Sequence, residues 1–217
     1  MIQATRISFV RHGTVHNPQK IVYGRLPHFA LAGMGRRQAQ YAAQAVQEWP
    51  IAAIYSSPLE RAQETAHILA ESLPGVPLHT SEWLNEVRFF YEGQPLEDMA
   101  KRNWDLYTGV PPEYEQPPEA VDRVRAFLAQ ARREHTGRHI LAVSHGDVIA
   151  FATLWAHDVP LIPANKHTLD RLGLAEAYPA PGSITTFIYP TNDDERPAAV
   201  EYLRPYGTEL LDTISPR

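Results

Sequence analysis

Short apolar runs recur along the chain and end in turn-forming or polar residues, a pattern typical of buried strands. They predict six strands, at Ile7–Val10, Ile51–Tyr55, Val76–His79, His139–Val143, Ile184–Tyr189 and Val200–Leu203. The last two flank a polar turn at Asn192-Asp193-Asp194. Because strands with this apolar content are covered on both faces, we expect a sheet buried between other elements.

Apolar residues at helical spacing lie between most of these runs. They predict helices over Gly35–Trp49, from Pro58 to Leu73, around Val121–Ala131 and over Val148–Leu154. Alternation of strands and helices is typical of an α/β protein with a mostly parallel central sheet in three layers. We therefore predict one domain over residues 1–217. Residues 89–119, rich in Pro and aromatic residues, are predicted to form an insertion or lid with one helix around Leu96–Tyr107.

Composition narrows the function classes. The chain has 217 residues, a net charge of −5 and no cysteine, so thiolate chemistry and Cys-ligated zinc are excluded. Mild acidity disfavours nucleic acid and anionic membranes as partners. The sequence lacks the roughly 18 consecutive apolar residues of a membrane span and shows no signal segment, so we expect a cytoplasmic protein.

Reactive side chains follow the predicted strands, where ligands bind in open α/β sheets. Arg11 and His12 follow the first strand, Arg61 the second, Glu86 the third, and His145 the run at 139–143. Guanidinium forks match phosphate oxygens, neutral histidine is a nucleophile, and a carboxylic acid can protonate a leaving alkoxide. The convergence predicts phosphoryl chemistry.

Five sequence boxes resemble the histidine phosphatase superfamily, in the branch that includes phosphoglycerate mutases. The matching stretches, in the family's order, are Val10-Arg11-His12-Gly13, Gly24…Leu31…Gly35-x-x-Gln38-Ala39, Ser56-Ser57-Pro58-Leu59-x-Arg61-Ala62-x-x-Thr65-Ala66, Leu84-x-Glu86…Glu92-Gly93 and Val143-Ser144-His145-Gly146. The resemblance implies a phosphoglycerate mutase-like fold and a phosphohistidine at His12, with Arg11, Arg61 and His145 on the phosphoryl oxygens. It also implies that Glu86, and not the competing carboxylates Glu82 and Glu92, is the proton donor.

The resemblance adds three candidate phosphate-binding residues, Asn17, Gly24 and Gly146. The loop after His12 is one residue shorter than the family pattern, which shifts the position of Asn17. The mutase run Arg-His-Tyr-Gly after the acid is replaced by Val87-Arg88-Phe89-Phe90. For Gly24 and Gly146, a purely structural role in turns is an equally good interpretation.

We expect a phosphatase that hydrolyses a small-molecule phosphomonoester without metal or other cofactor. A phosphoglycerate mutase and a non-catalytic sensor of phosphorylated ligands are the alternatives. A zinc hydrolase is disfavoured because the ten histidines include no HExxH pair. A homodimer is possible, although no interface motif is present.

Charge is concentrated in residues 89–119, which contain seven acids and two bases and so account for the whole net charge. An acidic lid beside a cationic pocket would favour one phosphate on a neutral or cationic remainder. The aromatic residues of the same segment suggest an apolar or ring-bearing leaving group. Packing of these rings onto the domain body, and acids that simply face water, are the alternatives.

Overall fold

A six-stranded sheet forms the centre of the protein in a computed structural model that describes residues 3–191 and 194–211. The strands are β1 (Thr5–Arg11), β2 (Ile51–Ser56), β3 (Leu78–Thr80), β4 (His139–Ser144), β5 (Ile184–Tyr189) and β6 (Ala199–Leu203). Their order across the sheet is β3-β2-β4-β1-β5-β6. Strand β5 runs antiparallel to both neighbours, and the remaining pairs are parallel. The predicted α/β class and mostly parallel sheet are confirmed.

Five α-helices occur in the described part of the chain. They are α1 (Gly33–Val46), α2 (Glu60–Glu71), α3 (Leu96–Lys101), α4 (Pro117–Glu134) and α5 (Gly146–Ala156). Short 3₁₀ turns lie at Glu82–Leu84, Pro163–His167, Leu169–Leu172 and Thr208–Leu210. Each long helix contains one of the apolar stripes read from the sequence.

The core is divided by the sheet into two apolar clusters. Alternation along β1 sends Ile7 and Phe9 to the side that holds the apolar residues of α4 and α5, and Val10 to the side of α1 and α2. Helix α5 is buried over nearly its whole length, which explains its run of apolar residues. The arrangement is the predicted three layers.

The predicted helix at Leu96–Tyr107 is wrong in length. Helix α3 ends at Lys101 because Asn103 and Trp104 have φ values of 52° and 57°, a left-handed conformation that cannot continue an α-helix. Strand β3 begins two residues later and ends one residue later than predicted. The predicted turn residues Asn192 and Asp193 are outside the described residues.

Residues 89–116 cross the carboxyl edge of the sheet and then enter α4, whose first turn contains Pro117–Glu119. Phe89, Met99, Leu106 and Tyr107 of this segment are buried in the cluster formed with α4 and α5. Packing of these aromatic and apolar side chains joins the segment to the domain body. In the described part of the chain, every helix is too short or too polar to cross a bilayer.

The loop after β1 contacts the start of α1 through two glycines, Gly13 in the loop and Gly35 in the helix. A Cβ on Gly35 would lie 2.0 Å from the carbonyl oxygen of Thr14, and one on Gly13 would lie 2.2 Å from that of Gly35. Both distances are far below van der Waals contact, so the loop that carries His12 depends on two glycines. Gly33, in the same helix, faces open space.

We therefore predict that Gly35→Ala lowers the free energy of unfolding by about 1–3 kcal/mol, as overpacking does. Gly33→Ala is the matched control and should be neutral or slightly stabilising. Urea unfolding of both variants measures the difference. Equal stability of the two variants would contradict the contact between the loop and α1.

Candidate active site

The ends of two adjacent parallel strands place two histidines side by side. Arg11 pairs with Ser144 in the ladder between β1 and β4, and His12 and His145 follow directly. The backbone N–H of His12 donates to the Ser144 carbonyl at 3.0 Å. The two imidazole centroids lie 5.1 Å apart, with both rings buried. Strand pairing alone brings these residues together.

Arg61 joins the histidines from the opening turn of α2. Its Nε–H donates to His12 Nε2 at 3.2 Å, and its Nη2 donates to His145 Nδ1 at 3.2 Å and to the Gly24 carbonyl at 2.7 Å. The side chain is 1% exposed, and its guanidinium carbon lies 4.7 Å from the centre of the Tyr23 ring. One cation therefore holds both imidazoles in fixed positions.

The tautomer of His12 follows from its hydrogen bonds. Nδ1–H donates to the Gly13 carbonyl at 2.8 Å, so the lone pair is on Nε2, the atom that faces Arg61. Burial, followed by the charges of Arg61 and Arg11, holds the pKa of His12 well below its usual range. The ring is neutral at physiological pH, with Nε2 available as a nucleophile.

His145 is held in the opposite tautomer. Its Nδ1 accepts from Arg61, so Nε2–H donates to Ser57 Oγ at 2.8 Å, and Ser57 donates in turn to Asn85 Oδ1 at 3.4 Å. Burial and the Arg61 charge also lower the pKa of His145 well below its usual range. Both rings are therefore uncharged beside two guanidinium groups.

Glu86 is the only one of the candidate carboxylates at this site. Its Oε2 lies 3.8 Å from His145 Nδ1, and its Oε1 accepts from the backbone N–H of Val87 at 2.9 Å. Burial, with the charge of Asp147, raises the pKa of Glu86 to about 7. Glu82 instead accepts from the Asn85 amide, and Glu92 from the backbone of Arg25. Glu86 can hold a proton near neutral pH.

Arg11 is buried but incompletely paired. Its Nη1 donates to the Pro179 carbonyl at 2.6 Å, and its guanidinium lies over the Tyr178 ring. Among the described residues, Arg11 Nε and the buried hydroxyl of Thr14 have no hydrogen-bond partner. Buried donors without a partner are costly, and an anionic ligand would supply the missing acceptor.

A cavity of about 510 Å³ opens above these groups. Arg11, His12 and Glu86 line one end of it. In the described part of the chain, Arg61 and His145 do not line the opening; they contact His12 and Glu86 from beneath. The cavity is of the size that holds small-molecule ligands, about 300–1,000 Å³.

The three further candidates lie around the same cavity. Asn17 lines it, but its amide is bonded to both the N–H and the carbonyl of Ile21, so it shapes its own loop. Gly24 has a φ of 38° and presents its carbonyl to Arg61. Gly146 begins α5 at the cavity, where the positive end of the helix dipole favours an anion.

Sequence reasoning missed a second buried group around Asp147. This carboxylate accepts from Tyr107 at 2.5 Å, Tyr178 at 2.6 Å and Lys166 Nζ at 2.7 Å. Lys166 is 2% exposed and lines the cavity. Burial alone would raise the pKa of Asp147, but Lys166 and the tyrosine hydrogen bonds bring it below its usual value. Only one feature of the sequence could have pointed to this group: Asp147 directly follows the matching stretch that contains His145.

The acidic segment does not face the ligand. Among the described residues, none of its seven acids lines the cavity. Glu115 pairs with Arg25 and Arg123, and Glu97 and Asp98 pair with Lys101. The predicted acidic lid therefore does not place its charge on the cavity wall: among the described residues, its acids do not line the cavity, and the three named above pair with cations that do not line it either.

Comparison with known proteins supports the fold. A solved mycobacterial glucosyl-3-phosphoglycerate phosphatase superposes with a TM-score of 0.71 at 23% identity, covering 93% of this chain and 97% of that one. The fold is thus that of the histidine phosphatase and phosphoglycerate mutase-like proteins. A family profile described as the histidine phosphatase superfamily, branch 1, matches residues 7–185, so the chain belongs to this superfamily.

Two relatives are similar in sequence. An uncharacterised protein of Mycobacterium tuberculosis is 36% identical over 152 residues, 67% of this chain and 75% of the relative. A Bacillus subtilis protein named uncharacterised phosphatase PhoE is 32% identical over 146 residues, 67% of this chain and 74% of the relative.

The raised pKa of Glu86 predicts a pH-dependent effect on stability. A carboxyl whose pKa rises from 4.5 to about 7 on folding costs stability as pH increases through this window, up to about 3 kcal/mol above it. Glu86→Gln removes this cost, so its stability relative to the native protein should be about 2 kcal/mol greater at pH 8 than at pH 5.

Denaturant unfolding at the two pH values measures this difference. Glu113→Gln, which removes an exposed carboxylate of residues 89–119, is the control for the loss of a negative charge as such. A Glu86→Gln effect that is equal at pH 5 and pH 8 would mean that Glu86 is ionised at both.

Proposed function

We propose that the protein is a metal-independent phosphatase that hydrolyses a small-molecule phosphomonoester through a phosphohistidine at His12. The observation that carries the proposal is the orientation of His12: its Nδ1–H is fixed by Gly13, and its Nε2 lone pair points to the Arg61 guanidinium. A neutral imidazole with a directed lone pair beside a cation is suited to attack on an anionic phosphoryl group.

In the first step, a phosphoryl oxygen accepts the Arg61 Nε–H that His12 accepts in the free site. Arg11 and Arg61 then compensate the two negative charges of the phosphoryl group, which is the main requirement of phosphoryl transfer. His12 Nε2 forms a bond to phosphorus while the bond from phosphorus to the leaving oxygen breaks. The Glu86 proton goes to that oxygen, so the alcohol leaves neutral.

In the second step, Glu86 acts as a base. Its carboxylate takes a proton from water while the water oxygen forms a bond to phosphorus. The bond from phosphorus to His12 Nε2 breaks, and its electron pair returns to the imidazole. Inorganic phosphate leaves, and Glu86 is protonated again for the next cycle. A pKa of about 7 suits a group that gives and takes a proton near neutral pH.

The names of two similar proteins are consistent with a phosphatase reaction. PhoE carries the name of a phosphatase, and the superposed mycobacterial structure that of a glucosyl-3-phosphoglycerate phosphatase. A mutase would share the site but return the phosphoryl group to the product. Comparison of isomer formation with phosphate release separates the two, and isomerisation with little hydrolysis would overturn the proposal.

The phosphohistidine gives the third testable prediction. Mixing the protein with a ³²P-labelled phosphomonoester and stopping the reaction in alkali should yield a labelled protein that loses its label in acid. His12→Asn should abolish both the label and turnover. His67→Asn, at an exposed histidine of α2 that is not among the residues lining the cavity, should retain both. Turnover by His12→Asn would contradict the mechanism.

Proton donation by Glu86 gives the fourth prediction. With an alkyl phosphate, kcat/KM should fall as pH rises above about 7, where Glu86 loses its proton. Glu86→Gln should lower kcat/KM for the alkyl ester by about 10²–10⁴, the usual contribution of general acid catalysis. The loss should be much smaller with 4-nitrophenyl phosphate, whose leaving group needs no proton. Equal losses with both esters would exclude a proton-donor role.

Metal independence is tested directly. Activity of protein dialysed against EDTA should equal that of untreated protein, because two arginines supply the charge that a metal would otherwise supply. Loss on dialysis with recovery on adding a divalent cation would contradict this part of the proposal.

A further inference from the structure

One part of the cavity wall differs sharply in chemistry from the phosphate end. Val22, Tyr23, Phe89, Leu96, Trp104 and Leu106 all line the cavity. Two come from the loop after β1 and four from the segment that crosses the sheet edge. We propose that this wall is a subsite for the leaving group, and that the substrate is a phosphomonoester of an uncharged, apolar, ring-bearing alcohol. The proposal rests on the proposed phosphatase reaction.

The first argument is the placement of Trp104. Its backbone is left-handed, with a φ of 57°, directly after Asn103 at 52°. Bulky side chains rarely adopt this conformation, and two in succession persist only where the surroundings determine them. Here the conformation ends α3 and sets the Trp104 side chain at the cavity, only partly buried. One part of the Trp104 side chain packs against the core, and the part left exposed presents an apolar surface to the cavity.

The second argument is charge. Arg11 and Arg61 match the two charges of a phosphate monoester, and Lys166 is already paired with Asp147. The Asp147 carboxylate is bonded to Tyr107 and Tyr178 as well, so the lysine is not free for a second anion. Among the described residues that line the cavity, Lys20 is the one remaining Lys or Arg, and it is exposed at the mouth.

The third argument is that a charged leaving group would lose its hydration against this wall without finding a partner. Burial of an unpaired charge against apolar side chains is strongly unfavourable, whereas burial of a ring there is favourable. Aromatic side chains such as Trp104 and Phe89 add offset or edge contacts with a substrate ring. The wall therefore favours substrates whose alcohol is apolar and carries a ring, whereas the phosphate end binds the phosphoryl group of any ester.

The test compares esters of primary alcohols that need the same protonation on leaving. The native protein should hydrolyse 2-phenylethyl phosphate with a kcat/KM at least tenfold above those of ethyl phosphate and 3-phosphoglycerate. Trp104→Ala should lower kcat/KM for 2-phenylethyl phosphate at least tenfold and leave ethyl phosphate within about twofold. Activity on ethyl phosphate shows at the same time that the variant is folded.

Matched variants make the result specific. Phe90→Ala removes an aromatic ring from the same segment that is 45% exposed and is not among the residues that line the cavity, so the preference should persist. Trp104→Phe should retain most of it. Lys20→Ala should leave the ratio between 2-phenylethyl phosphate and 3-phosphoglycerate unchanged.

The outcomes separate this proposal from the one on which it rests. Hydrolysis of all three esters without preference, or a preference that survives Trp104→Ala, would overturn the apolar subsite and leave the phosphatase reaction intact. A preference for 3-phosphoglycerate that Lys20→Ala abolishes would overturn the apolar subsite and indicate an anion-binding site at Lys20 instead. Failure to hydrolyse any ester, with no label on His12, would contradict the phosphatase itself.

Discussion

Two guanidinium groups buried at the carboxyl edge of one sheet are the constraint on which the site depends. Taking Arg11 and Arg61 out of water is costly, and each is stabilised by a backbone carbonyl and an aromatic ring. Neither carboxylate of the site forms an ion pair with them in the described structure. Together with burial, the two cations keep both imidazoles neutral. Because Arg11 and Arg61 have no anionic partner in the described structure, a dianionic ligand would compensate their charge in full.

The same constraint explains why the two buried carboxylates differ. Asp147 is ionised because Lys166 and two tyrosine hydroxyls stabilise its charge. Glu86 lacks such partners, and its burial and the Asp147 charge raise its proton affinity. One carboxylate therefore organises the cavity, and the other is the one that exchanges a proton with the reacting groups in the proposed reaction. Environment, not residue type, assigns the two roles.

Much of this arrangement could be predicted from the sequence, because strand ends and helix starts fix where residues meet. Arg11, His12, Arg61 and His145 follow apolar runs, and parallel pairing brings them together. Lys166 and Tyr178 lie in turns without periodicity, so no local pattern links them to Asp147. The left-handed Trp104 conformation also has no local signal. Summed charge showed that residues 89–119 are acidic, but the ion pairs of Glu97, Asp98 and Glu115, which no charge count reveals, determine where part of that acidity acts.

The hydrogen bond between Tyr107 and Asp147 joins the cavity wall to the edge of the sheet. Most of the apolar wall is encoded in one continuous stretch, residues 89–106, whereas the phosphate end is assembled from four distant parts of the chain. On the proposed function, changes in one short stretch of the gene are therefore enough to change the substrate of such a protein. Changes that reach Tyr107 would also disturb Asp147, and with it the chemistry that all substrates of the proposed reaction share.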